Sequence, residues 1–343
     1  MTHRIQVQEN FDLSKFTTMG VLCKALHFVE VHSIDELKEA LNFAHQHILN
    51  VLILGGGSNL LFIKDYEGLV IHVDLKGIEV IEEDNSSVTI KAAAGEIWHD
   101  LVLMAVSNNW AGIENLSLIP GSVGAAPIQN IGAYGVELKD TFISLEALER
   151  STAKVQTFTK EECKFGYRDS IFKNEAKGNY IITSVQLRLQ KNGKPTLEYK
   201  ALKEYLSERE IDNPSIREVS QAVIAIRQSK LPDPDEIGNT GSFFKNPVIS
   251  ATQFKQLEAE YPTIPSYKIS DTHIKVPAGW LIEQAGWKGK RKGDAGVHSK
   301  QALVLVNHGN ATGEEIWNLA HAIQLSVSEK FNISLTPEVN IIG

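Results

Sequence analysis

Cysteine is almost missing from this chain of 343 residues: only Cys23 and Cys163 occur. Two thiols are too few for a disulfide scaffold, and they lack the C-x-x-C spacing of a redox pair or zinc site, so a reducing cytoplasm is the expected compartment. No apolar run approaches the ~18 residues that a membrane-crossing helix needs. The stretch from Met1 to Phe16 alternates polar and apolar residues without the apolar core of a signal peptide. Basic charge is not in excess either. With 34 Lys and Arg against 42 Asp and Glu, the formal net charge is −8. That balance argues against nucleic acid as a main partner, because phosphate backbones are bound by a net basic face. One basic run stands out, Lys288 to Lys292 (KGKRK), which is either a solvated loop or a contact for a substrate phosphate. His45 and His47 lie two apart on a helix-like stretch and so diverge; no metal site is expected.

The familiar glycine signatures are lacking too. Two glycine-rich loops occur, Leu54 to Leu60 (LGGGSNL) and Ile119 to Gly135 (IPGSVGAAPIQNIGAYG). A Walker loop needs Lys and then Ser or Thr after its last glycine, where this chain continues Ser58-Asn59-Leu60. The Rossmann fingerprint needs a third glycine where Leu60 stands. What remains is a cradle for a diphosphate. Several backbone N–H groups must aim at one point, a side chain would block the approach, and Gly55, Gly56, Gly57 and the small hydroxyl of Ser58 suit that task. Two such loops point to a flavin dinucleotide; for the first loop alone, a tight strand-to-loop turn without a ligand is the alternative.

At this length, with 43% hydrophobic residues, two or three domains are expected. Ala25–Val31 reads as a strand, and Ser33 caps a helix whose apolar positions are Leu37, Ala40, Leu41 and Ala44. Further strands are predicted at 50–54, 69–73, 77–81 and 88–93, with a helix over 96–108. Later strands fall at 143–149, 154–158 and 180–189, the last with Ile181, Thr183, Val185, Leu187 and Leu189 on one face. From Thr196 the character turns helical, with an apolar stripe at Ile216, Val219, Val223 and Ile226 that ends at the proline-marked linker Lys230–Pro234. Thr312 and Glu315 have capping-box spacing before a helix faced by Ile316, Leu319, Ala320, Ile323 and Val327. The chain ends extended, Ile333, Leu335, Val339 and Ile341 opposing Glu338. This is an α+β pattern rather than a βαβ repeat.

Three segments carry candidate chemistry, each with a plain alternative. In Gly241–Pro247 (GSFFKNP) Ser242 is exposed while two aromatics wall off water, or the segment is an ordinary turn. In Phe165–Ser170 (FGYRDS) Arg168 is a functional cation or a surface partner of Asp169. Glu338 is a working carboxylate or a solvated one. No G-x-S-x-G elbow is present and no histidine has the role of a base, so a hydrolytic triad is excluded. A hydride acceptor fits better. Hydride addition to an alkene conjugated with a carboxylate builds charge on the carboxylate oxygens and leaves a carbon needing a proton, which calls for a cation and an acid.

Taken in order, Leu52–Phe62 (LILGGGSNLLF), Ile119–Leu138, FGYRDS, GSFFKNP, AGWLIEQAGWKG and the terminal PEV resemble UDP-N-acetylenolpyruvoylglucosamine reductases, the MurB family of peptidoglycan synthesis. The resemblance implies a two-lobed FAD-binding unit of the vanillyl-alcohol-oxidase (PCMH) type over 17–190, its lobes dividing near 75. It also implies a substrate-capping loop and connecting helix over 191–230, and an α/β substrate-binding domain over 231–343. It implies non-covalent FAD, NADPH as co-substrate in the same cleft, a UDP-sugar substrate and a cytoplasmic monomer. Arg168 and Glu338 then resemble the residues that steady the enolate, and Ser242 the proton donor, with Lys230 or Lys245 as candidates to support that weak acid. Gly55, Gly56, Gly57, Ser58 and Asn59, with Ile119, Pro120, Gly121, Gly124 and Ala125, resemble the cofactor contacts. Tyr199 resembles the capping-loop tyrosine of the family's first type, and Lys230, Asn246, Lys288 and Gln301 resemble substrate contacts. Two departures stand: Thr17-Thr18-Met19-Gly20 replaces N-T-F-G, and Ala125-Ala126 replaces hydroxyl residues often found after Gly124. Competing readings are a related flavin oxidase acting on an alcohol or sugar, and a sugar-nucleotide sensor without turnover.

Overall fold

The structure, a computed structural model, describes residues 5–343; the first four residues of the alternating N-terminal stretch lie outside the described residues. Tyr180–Lys191, rich in aliphatic and β-branched side chains, is the central strand of the largest sheet. It pairs antiparallel with Phe142–Glu149 on one side and Ser87–Ala93 on the other, and Val155–Thr159 and Ile78–Glu83 form the outer strands. The expectation that Ile181 and Thr183 share a face with Val185, Leu187 and Leu189 is corrected here. Between Glu146 and Ala147 the register shifts, so Ser184 pairs with Glu146 but Ile182 with Ala147, leaving Thr183 as an extra residue. One inserted residue exchanges the two faces of a strand with period two. Ile182 therefore joins Val185, Leu187 and Leu189 in the larger core, while Ile181 and Leu148 pack into a second core.

That second core lies under a sheet ordered Gln8–Asp12, Lys24–Val31, Tyr66–Val73, Asn50–Leu54, the last two strands parallel. Helix α1 (Ile34–Gln46) covers it with Leu37, Ala40 and Ala44. Its start is fixed as the sequence predicts: Ser33 Oγ accepts the Glu36 amide at 3.2 Å, and Glu36 returns a carboxylate to the His32 amide at 2.7 Å. Helix α2 (Trp98–Ser107) starts later than expected because Glu96 is occupied. The Glu96 carboxylate accepts the Gly77 amide at 2.6 Å, and its carbonyl accepts Val123 N–H at 2.8 Å. Helices α3 (Lys200–Ser207) and α4 (Ile216–Lys230) share a small core of Leu202, Leu206, Val219 and Val223.

The chain divides into two compact units. One takes residues through Phe11, Ala25–Gly56 and Glu67–Ser229; the other takes Asp12–Lys24, Gly57–Tyr66 and Lys230–Gly343. The second unit holds a sheet ordered Gly238–Ser242, Val304–Asn307, Ala295–Val297, Arg291–Lys292, with helices α5 (Ala251–Glu260), α6 (Ala278–Gln284) and α7 (Gly313–Phe331). The Thr312–Glu315 capping box opens α7 as predicted. Ile333, Leu335 and Val339 are buried as the terminal alternation requires, but only Asn340–Ile342 joins a ladder, parallel to Leu60–Phe62. Among the described residues no helix is long and apolar enough to cross a membrane.

Replacing the cap, Thr312→Ala, should lower unfolding stability by about 1 kcal/mol in denaturant titrations. Burial pushes the thiols of Cys23 and Cys163 up to about 12, Asp65 and Glu162 adding smaller upward contributions. The thiolate is the reactive form. At pH 8 the folded protein should therefore resist aromatic disulfide reagents and yield two thiols per chain only after denaturation; a fast native thiol would contradict this burial.

Candidate active site

The two glycine loops meet. An added Cβ at Gly56 would lie 2.8 Å from Gly121 Cα, and one at Gly55 would lie 2.3 Å from Ser122 Oγ. Gly57 has φ +60, and a Cβ there would stand 1.9 Å from the Phe16 carbonyl oxygen. Glycine is thus required at Gly56 and Gly57 by backbone approaching backbone, while at Gly55 the Ser122 side chain fills the space a Cβ would take. The second loop is pinned by its own amides: Val123 donates to Glu96, Gly124 to Ala94 at 2.9 Å, and Ala125 to Ser122 at 3.1 Å. The Gly124 and Ala125 N–H groups are therefore committed to protein carbonyls. Thr18 N–H donates to the Gly57 carbonyl at 3.3 Å, tying the Thr17–Gly20 element to the first loop. Ser58 is half-buried, and Asn59 Nδ2 donates to the Glu338 carbonyl at 3.3 Å.

Beyond the second loop, Gly132–Ala133 and Val136–Glu137 form a hairpin turned by Tyr134 and Gly135, both with positive φ. Arg168, half-buried with φ +52, donates from Nη2 to the Gly132 carbonyl at 2.6 Å. Asp169, its candidate partner, instead accepts Asn174 Nδ2 at 2.9 Å. A second cation that the sequence reading passed over faces the same place. Arg227 of α4 donates from Nε to the Leu118 carbonyl at 3.2 Å. Burial holds its guanidinium below the usual range, Tyr134 opposing that shift and Arg168 adding to it. Its surface is only partly covered, yet the head group sits deep; Arg stays charged either way. His99 Nδ1 accepts the Leu118 amide at 2.9 Å, which needs a neutral ring, and burial lowers its pKa accordingly. The Tyr134 ring stands edge-on to Tyr199, centroids 5.2 Å apart, at the N-terminus of α3. The missed signal was a charge inside an apolar stripe, since Arg227 extends the four-residue series Val219, Val223.

In the second unit, Ser242 ends the strand Gly238–Ser242, half-buried ahead of Phe243 and Phe244, which are 0% and 1% exposed. The terminal PEV segment zips alongside: Glu338 N–H donates to the Phe243 carbonyl at 2.8 Å, and Lys245 N–H to the Thr336 carbonyl at 2.9 Å. Ser242 and Glu338 thus come from neighbouring extended segments, and Glu338 is half-buried rather than fully solvated. Asn246 Oδ1 accepts the Ala278 amide at 2.9 Å at the start of α6, and Gln301 Oε1 accepts Leu303 N–H at 3.4 Å. Lys288 pairs with Glu283 at 2.9 Å, and Lys230 is exposed at the end of α4. Elsewhere, in the first unit, Glu30, His32 and Asp74 cluster at the surface. The Lys76 ammonium, 2.9 Å from Asp74, already supplies a cation there.

Residues 233–342 match the family described as UDP-N-acetylenolpyruvoylglucosamine reductase, C-terminal domain, and residues 25–159 match an FAD binding domain. A UDP-N-acetylenolpyruvoylglucosamine reductase of Flavobacterium johnsoniae is 53% identical over 98% of this chain and 100% of its own length. The chain belongs to the UDP-N-acetylenolpyruvoylglucosamine reductase family. The reductase of that name from Amoebophilus asiaticus is 52% identical over 98% of this chain and all of its own. The crystal structure of the Thermus caldophilus MurB reductase has the same fold, with a TM-score of 0.69 at 24% identity over 99% of each chain. The fold expected from the sequence, an FAD-binding unit followed by a MurB C-terminal domain, is the one found.

Burial raises the Tyr134 pKa, and Arg227 opposes that rise. Removing the cation disfavours the phenolate, so Arg227→Met should move the Tyr134 titration to higher pH. Ultraviolet difference spectra, assigned with Tyr134→Phe, would show it; a downward shift would break the pairing of these two groups.

Proposed function

We propose that this chain reduces the enolpyruvyl ether of UDP-N-acetylglucosamine to the lactyl ether with NADPH, in peptidoglycan precursor synthesis. The carrying observation is whole-length kinship: relatives bearing the reductase name align over 98% of the chain. The residues fit FAD. The two loops approach each other this closely only because no Cβ stands at Gly55 or Gly56, and backbone amides left bare in this way suit a diphosphate. A bound flavin supplies hydride to the substrate after taking it from NADPH.

The chain's own residues handle charge and proton. Arg168, with a half-buried guanidinium held by Gly132, offsets negative charge on the substrate carboxylate. Glu338 acts with it on the enolate. Ser242 hands its hydroxyl proton to the carbanion carbon, and Phe243 and Phe244 exclude water behind it. Tyr199 closes over the substrate. Lys230, Asn246, Lys288 and Gln301 contact it, Asn246 through the amide nitrogen that remains after its oxygen is used at α6. Residues 17–190 serve the cofactor, 191–230 the cap and 231–343 the sugar nucleotide, in a cytoplasmic monomer. A flavin oxidase with covalent attachment is disfavoured because neither glycine loop carries a histidine or cysteine, and both cysteines are buried.

The purified protein should be yellow, release free FAD on denaturation, bleach with NADPH and regain colour with the enolpyruvyl substrate. Ser242→Ala should keep the bleaching and slow the recolouring by about 10²- to 10⁴-fold, the usual worth of general acid catalysis. Recolouring at the original rate would remove Ser242 from the role of donor.

A further inference from the structure

The strand that ends in Ser242 carries an irregularity just before it. Asn239 pairs with Val306 and Ser242 with Val304, so three steps along one strand oppose two along the other. The extra residue falls at Thr240–Gly241, and Gly241 has φ +67. Paired residues of an antiparallel ladder point to the same face, as do Val304 and Val306. Asn239 and Ser242 therefore share a face that a regular strand would deny them. Without the bulge, Ser242 would turn to the opposite side.

The bulge has an identifiable clasp. Asn239 is 3% exposed, and every polar atom of its side chain is used. Oδ1 accepts the Gly241 amide at 2.9 Å, the i→i+2 bond that holds an Asx-turn. Nδ2 donates to the carbonyls of Ile237 at 2.9 Å and Pro232 at 3.2 Å, anchoring the linker after α4. Its backbone N–H donates to the Thr18 carbonyl at 2.9 Å. A Cβ on Gly241 would meet nothing within 4 Å, so glycine is required there by φ alone.

We infer that Asn239 is the positioning residue for Ser242: by holding the left-handed bulge at Gly241 it sets the face from which the serine hydroxyl is presented. The inference rests on the proton-donor reading of Ser242 above. Asn239 itself touches no reacting atom in this scheme. Its side chain acts through the Gly241 amide, and the Ser242 backbone carries the effect.

The test follows flavin bleaching by NADPH and recolouring by the enolpyruvyl substrate separately, by stopped flow on the FAD-loaded protein. Asn239→Ala should slow recolouring roughly tenfold, about what one lost buried hydrogen bond converts to, and leave bleaching unchanged. The solvent deuterium effect on recolouring should grow, because the proton step becomes slower relative to the others. In a Ser242→Ala background the same change should add nothing, since both act through one hydroxyl. Asn239→Ser, whose hydroxyl can accept the Gly241 amide, should recover part of the rate. Gly241→Ala tests the bulge without removing any side-chain bond, and stands in if Asn239→Ala does not fold; it should slow recolouring alone. Equal loss in both half-reactions, a full additional loss in the Ser242→Ala background, or no rescue by serine would overturn the inference while leaving the role of Ser242 intact. If Ser242→Ala itself recolours normally, the proton-donor reading fails instead.

Discussion

Backbone meeting backbone at the glycine loops is the constraint on which the first unit's chemistry depends. With the Gly56 Cα facing Gly121 at a distance where any Cβ would sit 2.8 Å from its neighbour, neither loop can drift without opening the other. The second loop is held from behind by Val123 and Gly124 amides on the Glu96 and Ala94 carbonyls. Glu96 also fixes Gly77 through its carboxylate. One acidic residue thereby ties the large sheet's edge, the start of α2 and the second glycine loop together. A flexible chain would spend conformational entropy bringing such loops together at the moment of binding; here it is spent in folding.

Much of this was legible in the sequence because it depends on residue type at fixed positions. Strand 50–54 was located to the residue, and the caps at Ser33 and Thr312 were read from short polar patterns with a direct physical cause. The two loops were found as glycine clusters. Their reason was only half visible: a missing Cβ near a ligand and a missing Cβ near a second loop leave the same trace in a sequence.

What stayed hidden depends on pairing. The bulges at Thr183 and at Thr240–Gly241 change which residues share a face, yet neither interrupts a run of strand-forming or turn-forming residues in a distinctive way. Period-two reading assumes no insertion, so it misassigned Ile181 relative to Val185. The bounds of helix α3 stayed hidden for a related reason, although the helical character after Thr196 was plain. The helix is eight residues long, and its buried Leu202 and Leu206 make sense only against Val219 and Val223 of α4.

Arg227 shows how a residue can be conspicuous in space and silent in sequence. It occupies a position where the helical series Val219, Val223 calls for an apolar side chain. Its guanidinium is desolvated between Tyr134 and a second cation, Arg168, and the partner it bonds is the neutral Leu118 carbonyl. Desolvating a permanent cation beside another is costly unless an anion completes the balance. Arg cannot escape by losing its proton. The unit therefore brings two arginines, Arg227 and Arg168, close together beside Tyr134 and Tyr199. A substrate that brings both a carboxylate and a diphosphate has the opposite charge distribution. Such a site gains most from the ligand whose anionic groups are fixed relative to each other, because positions and not just total charge must match.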